Sequence, residues 1–314
     1  MRPPKFVVVS AVMLAAHAFT HLIGMNMLSV PVGHAQTPCP VRGSCNLEPG
    51  LRGRTDLLLF EDFEDSNWQS HWTGVEFPAN LSTPTTPVFS GIRSAEVRVP
   101  AGAHDGASLN FDFTSAGLTD PEEIYFRYYV RFNDSWQISA DGEIGKFPGF
   151  DAAYGSGAGH GCSPSNGTNG WSARMMNFDR GSVHQVGFYT YHADMTGSCG
   201  EHMIWPTMLE RNRWYGIEAR VRVNTITGGR GNNDGILQGW IDDALVFSRT
   251  NLRFRDLSTL KIEKIWGNLY VGGTWTADRN MAIHFDNMVI ARNRIGSATT
   301  GTPPSAPTDL HITP

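Results

Sequence analysis

From Leu57 onward, hydrophobic and polar residues alternate in short runs, and glycine, proline, asparagine or aspartate bounds most of them. The runs include LLLFEDF, SAEVRVP, SLNFDF, EIYFRYYVRF, EIGKFPGF, GWSARMMNF, QVGFYTYHA, RWYGIEARVRVN, GILQGWIDDALVF, KIWGNLYVGG and MAIHFDNMVIA. A period of two is the signature of half-buried strands. The 34 glycines and 18 prolines supply the turns that so many strands need. No run keeps a helical period beyond a turn or two, although NLRFRDLSTLKIEKI is expected to hold a short helix. The pattern predicts an all-β fold, a sandwich or jelly roll of two antiparallel sheets.

Two neighbouring runs carry an unusual polar face. In GWSARMMNF, alternation puts Trp171, Ala173 and Met175 on one side and Ser172, Arg174 and Met176 on the other. In QVGFYTYHAD, Val186 and Phe188 share one face, and Tyr189 and Tyr191 share the other. Serine, arginine and two tyrosines thus form a polar set opposite an apolar one. His184 and His192 fall on the Phe188 face and read as histidines satisfied within the fold.

The ends read differently. A basic MRPPK, the apolar run FVVVSAVMLAAHAF and small residues around Ala35 read as a secretory signal peptide over 1–35. An uncleaved membrane anchor is the competing reading, because apolar character extends weakly to Val32. Residues 36–56 read as a leader, 57–296 as the domain, and 297–314 as a Thr/Pro-rich linker. Removing the signal takes away Arg2 and Lys5 and leaves 23 basic against 30 acidic side chains, a formal charge of −7. Nucleic acid is therefore not the expected partner, and a polyanionic substrate would need a local basic cleft. Four cysteines in a secreted chain favour disulfides, and of the three pairings Cys39–Cys45 with Cys162–Cys199 is the one expected. The protein is expected to be secreted or periplasmic, off the membrane once the signal is cleaved, and monomeric.

The phrases FEDFED, GKFPGF, WSARMM, FYTYHAD, DGILQGWIDD, NLYVGG and IHFDNMVIARNRIG follow one another over about residues 57–296. Their order resembles the jelly-roll polysaccharide lyases of family 14, the alginate and glucuronate lyases. It also resembles the related glucuronan lyases and a cellulose-induced fungal protein of the same fold. The resemblance implies a concanavalin A-like jelly roll whose concave sheet binds an acidic polysaccharide. It also implies a catalytic set of Lys146, Ser172, Arg174, Tyr189 and Tyr191. The long loop DAAYGSGAGHGCSPSNGTNG and the Asp-Asp ending of GILQGWIDD depart from the family pattern.

That set suits β-elimination on a uronic acid polymer. C5–H is weakly acidic, so the adjacent carboxylate must be neutralised before the proton can leave. Arg174 can grip a carboxylate with two parallel hydrogen bonds, Lys146 adds a compact charge and Ser172 a hydroxyl donor. Tyr189 and Tyr191, about 6.5 Å apart along one strand face, supply a base and an acid in either order. A phenol ionises near about 10, so the cations are expected to lower it by about 3 units, worth roughly 4 kcal/mol. Gln238, Trp240 and Tyr270 are candidates for sugar recognition, with a core role for Trp240 equally open, and His160 is a candidate lid residue over the cleft.

The resemblance further implies a structural calcium site joining the domain's ends. It would comprise Asp62 and Asp286 with backbone oxygens of Glu64, Ser90 and Arg93, a ligand set that suits a hard cation. Two other functions compete with a lyase. A carbohydrate-binding module on the same fold would not require the lysine, the arginine and both tyrosines. A jelly-roll hydrolase needs two carboxylates flanking the bond, and only Asp141 and Glu143 in DGEIGKF come near that pattern.

Overall fold

The computed structural model describes residues 39–138 and 144–298. The signal-peptide reading, the end of the linker, Asp141 and Glu143 lie outside the described residues. Among the described residues no helix is long and apolar enough to cross a membrane.

Fourteen strands of three or more residues build the two large sheets. They are β1 (Leu57–Glu61), β2 (Gly74–Glu76), β3 (Ala95–Val99), β4 (Asp105–Asp112), β5 (Glu123–Phe132), β6 (Gly145–Ala152) and β7 (Trp171–Asp179). They continue with β8 (Val183–Tyr191), β9 (Glu201–Glu210), β10 (Trp214–Arg222), β11 (Gly235–Ile241), β12 (Ala244–Leu252), β13 (Lys264–Val271) and β14 (Met281–Ala291). One sheet has seven strands in the order β9-β8-β7-β6-β13-β4-β2. The other has nine, running from Arg42–Gly43 through β1-β14-β5-β10-β11-β12, with β3 and Leu81–Ser82 off β14. All pairings between the fourteen are antiparallel; Arg42–Gly43 alone joins in parallel, alongside Leu59 and Phe60. The all-β jelly-roll sandwich expected from the alternation is what the chain forms.

The main core lies between the sheets. Trp171, Ala173 and Met175 of β7 and Val186 and Phe188 of β8 belong to it, packed with Phe147, Trp205, Ile217, Leu237 and Phe285. Apolar area of this kind contributes about 25 cal/mol per Å² removed from water. Packing is tight enough to demand glycine at Gly239, where a Cβ would sit 2.0 Å from Trp205 Cζ2. A second cluster covers the outer face of the nine-stranded sheet: Leu47 and Leu51 fold over Leu57, Phe60, Tyr125, Trp240 and Val289. The 36–56 stretch therefore packs on the domain through its described residues.

The expected helix in 251–265 does not form; that stretch ends β12, turns and enters β13. Arg255, 3 % exposed, holds the turn by donating to the carbonyls of Ser258 and Leu260 and to Glu122 Oε1. Both disulfides, Cys39–Cys45 and Cys162–Cys199, are those expected.

Candidate active site

The site forms on the face of the seven-stranded sheet turned away from the core. Cross-strand register sets it out in rows. Tyr191 pairs with Ser172, Ser172 with Asp151, and Asp151 with Lys264. One row along, His202 pairs with Tyr189 and Tyr189 with Arg174. Further along, Met176 pairs with Lys146 and Lys146 with Tyr270. Met176, Phe178, Tyr189, Tyr191 and Ile144 make an apolar patch separate from the main core, confirming which face each side chain takes.

The GKFPGF motif has a geometric reason. Proline is tolerated inside a sheet only at an edge or bulge. Phe147 pairs with Met175 and Phe150 with Ala173, so Pro148 and Gly149 together oppose the single residue Arg174, which defines a bulge. A Cβ on Gly149 would lie 2.6 Å from Arg174 Cα, so only glycine permits this approach. Arg174 reaches across the bulge to β13. Its guanidinium lies 4.1 Å from the centroid of Trp266 and donates to Asn268 Oδ1 and, at 3.4 Å, to the Asn268 carbonyl.

Arg174 is 7 % exposed, and among the described residues no carboxylate lies within ion-pair distance of it. Its Nε has no hydrogen-bond partner among the described residues. Burial pulls the guanidinium down to about 10, opposed by the nearby Asp151 and the phenols of Tyr189, Tyr191 and Tyr270. Lys146 Nζ stands 5.4 Å from the Tyr189 ring centroid and 4.8 Å from that of Tyr270, which stacks on His104. The Tyr189 and Tyr191 hydroxyls are 3.2 Å apart, and the backbone N–H of Cys162 donates to the Tyr191 oxygen at 3.0 Å.

The two cations were expected to favour phenolate, yet the Tyr189 hydroxyl is raised above the usual phenol value. Burial is the largest cause, followed by its hydrogen bond to Tyr191; Arg174 only partly offsets them. Ser172 also departs from expectation. It is fully buried and donates to the Gly159 carbonyl at 2.6 Å, so it anchors the loop rather than facing outward.

His160 does sit over the sheet, as its place in the loop suggested. Its Nε2 lies 2.7 Å from Asp151 Oδ1 and its ring packs edge-on against Trp266 at 4.7 Å. Asp151 is fully buried, with Lys264 Nζ 3.3 Å from its second oxygen. Asp151, Trp266, Asn268 and His202 belong to the site and were missed. Trp266 and Asn268 share the face of Tyr270 by simple alternation, a signal present in KIWGNLY. His202, 5.4 Å from the Tyr189 ring, is held below the usual histidine value by burial and by the Lys146 charge.

The family model described as polysaccharide lyase 14 matches residues 94–288, well over half of the chain. The chain belongs to polysaccharide lyase family 14. Solved structures agree on the fold. A marine family 14 alginate lyase from Aplysia kurodai is 20% identical with a TM-score of 0.56, over 72% of this chain and 94% of that one. The alginate lyase vAL-1 from Chlorella virus is 18% identical with a TM-score of 0.55, over 76% and 100%. An endo-β-1,4-glucuronan lyase from Trichoderma reesei is 12% identical with a TM-score of 0.54, over 78% and 99%. No curated protein sequence matches.

Two residues expected in the groove of this lyase lie elsewhere. Gln238 and Trp240 are on β11, in the nine-stranded sheet, on the face opposite the core. Gln238 is fully buried between Arg220 and Ser248. Trp240 is 2 % exposed in the second cluster, with the Arg294 guanidinium 4.8 Å from its centroid. Alternation had placed them correctly on one face, but β11 pairs with β10 and β12 rather than with any strand of the site. His184 Nδ1 is bonded to Asn177, whereas His192 bonds Glu201 through Nε2 and its buried Nδ1 has no partner among the described residues.

Of the residues expected to hold calcium, Asp62, Glu64 and Ser90 line a cavity of about 410 Å³ together with Asn287, whereas Asp286 and Arg93 do not line it. Asp62 and Asp286 are both raised above the usual carboxylate range, Asp286 to about 7; burial is the main cause and the Glu64 charge adds to it. This acidic donor set suits a hard cation. The backbone part does not match. At Ser90 it is the N–H that faces Asp286 Oδ2, and at Arg93 the N–H that faces Glu64 Oε1, where carbonyls were expected. Among the described residues no three acidic, histidine or cysteine side chains are arranged about one metal position.

Proposed function

We propose that this family 14 lyase cleaves a uronate-containing polysaccharide of the alginate or glucuronan type by β-elimination. The observation that carries the reading is Arg174, a buried guanidinium with no carboxylate partner among the described residues. A buried charge is costly unless it is paired, and a uronate carboxylate is a partner that substrate would bring. The sugar carboxylate would take two donors from Arg174, with Asn268 holding the fork in place and Trp266 supporting its face. Lys146 adds a second positive charge beside the phenols. Neutralised in this way, the carboxylate allows the C5 proton to leave as an enolate-like charge develops. Tyr189 and Tyr191 lie within reach of one sugar unit and supply base and acid. Tyr270 and His160 border the same sugar path. The likeness to alginate and glucuronan lyases of the same fold supports this substrate class.

The same reading takes the protein as secreted, for which the two disulfides are the support, and as a monomer. It takes Asp62 and Asp286 as the carboxylates of a structural calcium ion, drawing the start and end of the domain together. No step of the reaction rests on that ion. The function is tested by incubating the protein with alginate, polymannuronate, polyguluronate and glucuronan and following the ultraviolet absorbance of the unsaturated product. Absorbance growth with at least one polymer is expected. Tight binding with no chromophore from any of them would leave a binding module in the lyase's place.

A further inference from the structure

The groove face changes sign beyond β13. Register carries the rows of the site onto β4 and β2, the last two strands of the seven-stranded sheet. Lys264 pairs with Asp112, Trp266 with Asn110, Asn268 with Ser108 and Tyr270 with Asp105. Ser108 in turn pairs with Glu76 of β2, whose Oε1 accepts from Asn110 Nδ2 at 3.0 Å. Residues directly opposite one another share a face of the sheet. Asp105 keeps that face through a bulge: from Asn268 to Tyr270 β13 takes two steps, while β4 takes three from Ser108 to Asp105. A Cβ on Gly106 would lie 3.0 Å from both Leu269 and Val97, so that residue points into the core and its neighbour Asp105 points out. Asp105, Glu76 and Asp112 thus stand on the groove face beside the site. No lysine or arginine occurs in β4, DGASLNFD, or in β2, GVE. Lys264 is ion-paired with Asp151 at 3.3 Å and has Asp112 on its other side. His104, stacked on Tyr270, accompanies Asp105 at this margin. In the other direction, the rows through Arg174 and Lys146 end on β9 at His202 and Ile204, neither of them acidic.

We infer that the acidic margin of Asp105, Glu76 and Asp112 ends the polyuronate track at β13, so that this lyase works from a chain end and releases short products. The inference rests on the lyase reading above and adds its mode of attack. The groups of the site are laid out along rows from β8 to β13, so the sugar path crosses the strands. Arg174, 7 % exposed and with Nε unpartnered among the described residues, fixes where the carboxylate of the cleaved unit binds. From β7 to β13 is two strand spacings, about 10 Å, which leaves room for about two sugar units. A further unit would bring its own carboxylate over β4 and β2. Two like charges about 5 Å apart in water cost roughly fourfold in affinity, and three acids meet that unit. A chain end carries no such cost, so the register that places a terminus at β13 is the one favoured. Asp105, Glu76 and Asp112 act here as specificity determinants, set apart from the reacting atoms.

The test has two arms, both on the full chain. In the first, wild-type protein acts on polymannuronate, polyguluronate and glucuronan while viscosity is followed and early products are sized by chromatography. Short oligomers from the first turnovers, with viscosity falling slowly, are expected. Early fragments of many lengths with a rapid loss of viscosity would overturn the inference. The second arm needs no turnover. In a Tyr189→Phe, Tyr191→Phe protein, calorimetry measures affinity for uronate oligomers of increasing length. Affinity should stop rising once the oligomer is long enough to reach β4. Adding Asp105→Asn, Glu76→Gln and Asp112→Asn should make those longer oligomers bind about fivefold tighter at low salt, leave the shortest unchanged, and lose the gain at high salt. The amides keep the acceptor oxygens that Asn110 and Ser115 use, and circular dichroism checks the fold. A folded variant with an unchanged length profile would overturn the inference. Binding of no oligomer at all would sink it together with the uronate reading. Length-limited binding by a wild-type protein that cleaves nothing would count against the proposed function and leave the boundary at β13 standing.

Discussion

Replacing Arg174 by methionine should separate function from stability. The guanidinium is 7 % exposed and burial holds it at about 10, roughly 2.5 units below its ordinary value of 12.5. At about 1.4 kcal/mol per unit, keeping it charged in the fold costs about 3 kcal/mol at neutral pH. The sign follows from the direction. Because the folded-state value is depressed, the cost is fully present below about 10 and fades as pH rises toward 12.5. Methionine removes that cost and fills much of the same volume. Against it stand the lost stacking on Trp266, worth about 1–2 kcal/mol, and the lost bonds to Asn268, worth about 1–2 kcal/mol more. The terms nearly cancel, so stability should stay within about 1 kcal/mol of wild type, a few degrees in Tm for a domain of this size. Activity should fall at least about 10³-fold, because two charge-assisted hydrogen bonds to the substrate carboxylate disappear with the charge. Urea unfolding and the ultraviolet product assay read the two quantities on one preparation. A loss of more than about 3 kcal/mol in stability would mean that Arg174 is a structural group and would refute the reasoning. Retention of near-normal turnover would do the same.

Tyr191→Phe and Tyr189→Phe keep both rings against Gly200 and each remove one hydroxyl, so at least one should lose about 10²-fold or more in kcat with KM little changed. Trp240→Ala should lower stability by about 3–5 kcal/mol, the scale for emptying a buried tryptophan site, yet leave kcat/KM within about twofold because its strand belongs to the other sheet. For calcium held by Asp62 and Asp286, differential scanning fluorimetry should show it raising Tm by several degrees at pH 8 and much less at pH 5. The direction follows from Asp286. Its folded-state value is raised to about 7, so it is protonated at pH 5, when a cation must compete with the proton, and ionised at pH 8. Equal shifts at both pH values, or none, would count against that site.

Much of the site was legible because a strand's period is two. Once Trp171 and Phe188 are buried, Ser172, Arg174, Tyr189 and Tyr191 must emerge on the other face, and no loop can change that without a register slip. Alternation does not say which sheet a strand joins. Trp240 and Gln238 were therefore read on the right kind of face but in the wrong layer; only the pairing of β11 with β10 and β12 settles it. Asp151 escaped notice for a related reason. It lies beyond the two-residue bulge at Pro148 and Gly149, where counting along the strand loses its phase. Its contact with His160 depends on a loop that folds back through several glycines in left-handed conformation, including Gly159 and Gly161, and no periodicity describes such a path. The ionisation of Tyr189 was misjudged because charge is visible in a sequence and burial is not. The cations are present, and desolvation outweighs them.

The central claim is that the Arg174 site eliminates across C4–C5 of a uronate. It is tested most directly by mixing wild-type protein and Arg174→Met with polymannuronate, polyguluronate and glucuronan and recording ultraviolet absorbance together with reducing ends. Wild-type protein should generate the unsaturated chromophore in step with new reducing ends on at least one polymer, and Arg174→Met should generate neither. New reducing ends without the chromophore would mean hydrolysis and would contradict the account, as would undiminished elimination by Arg174→Met.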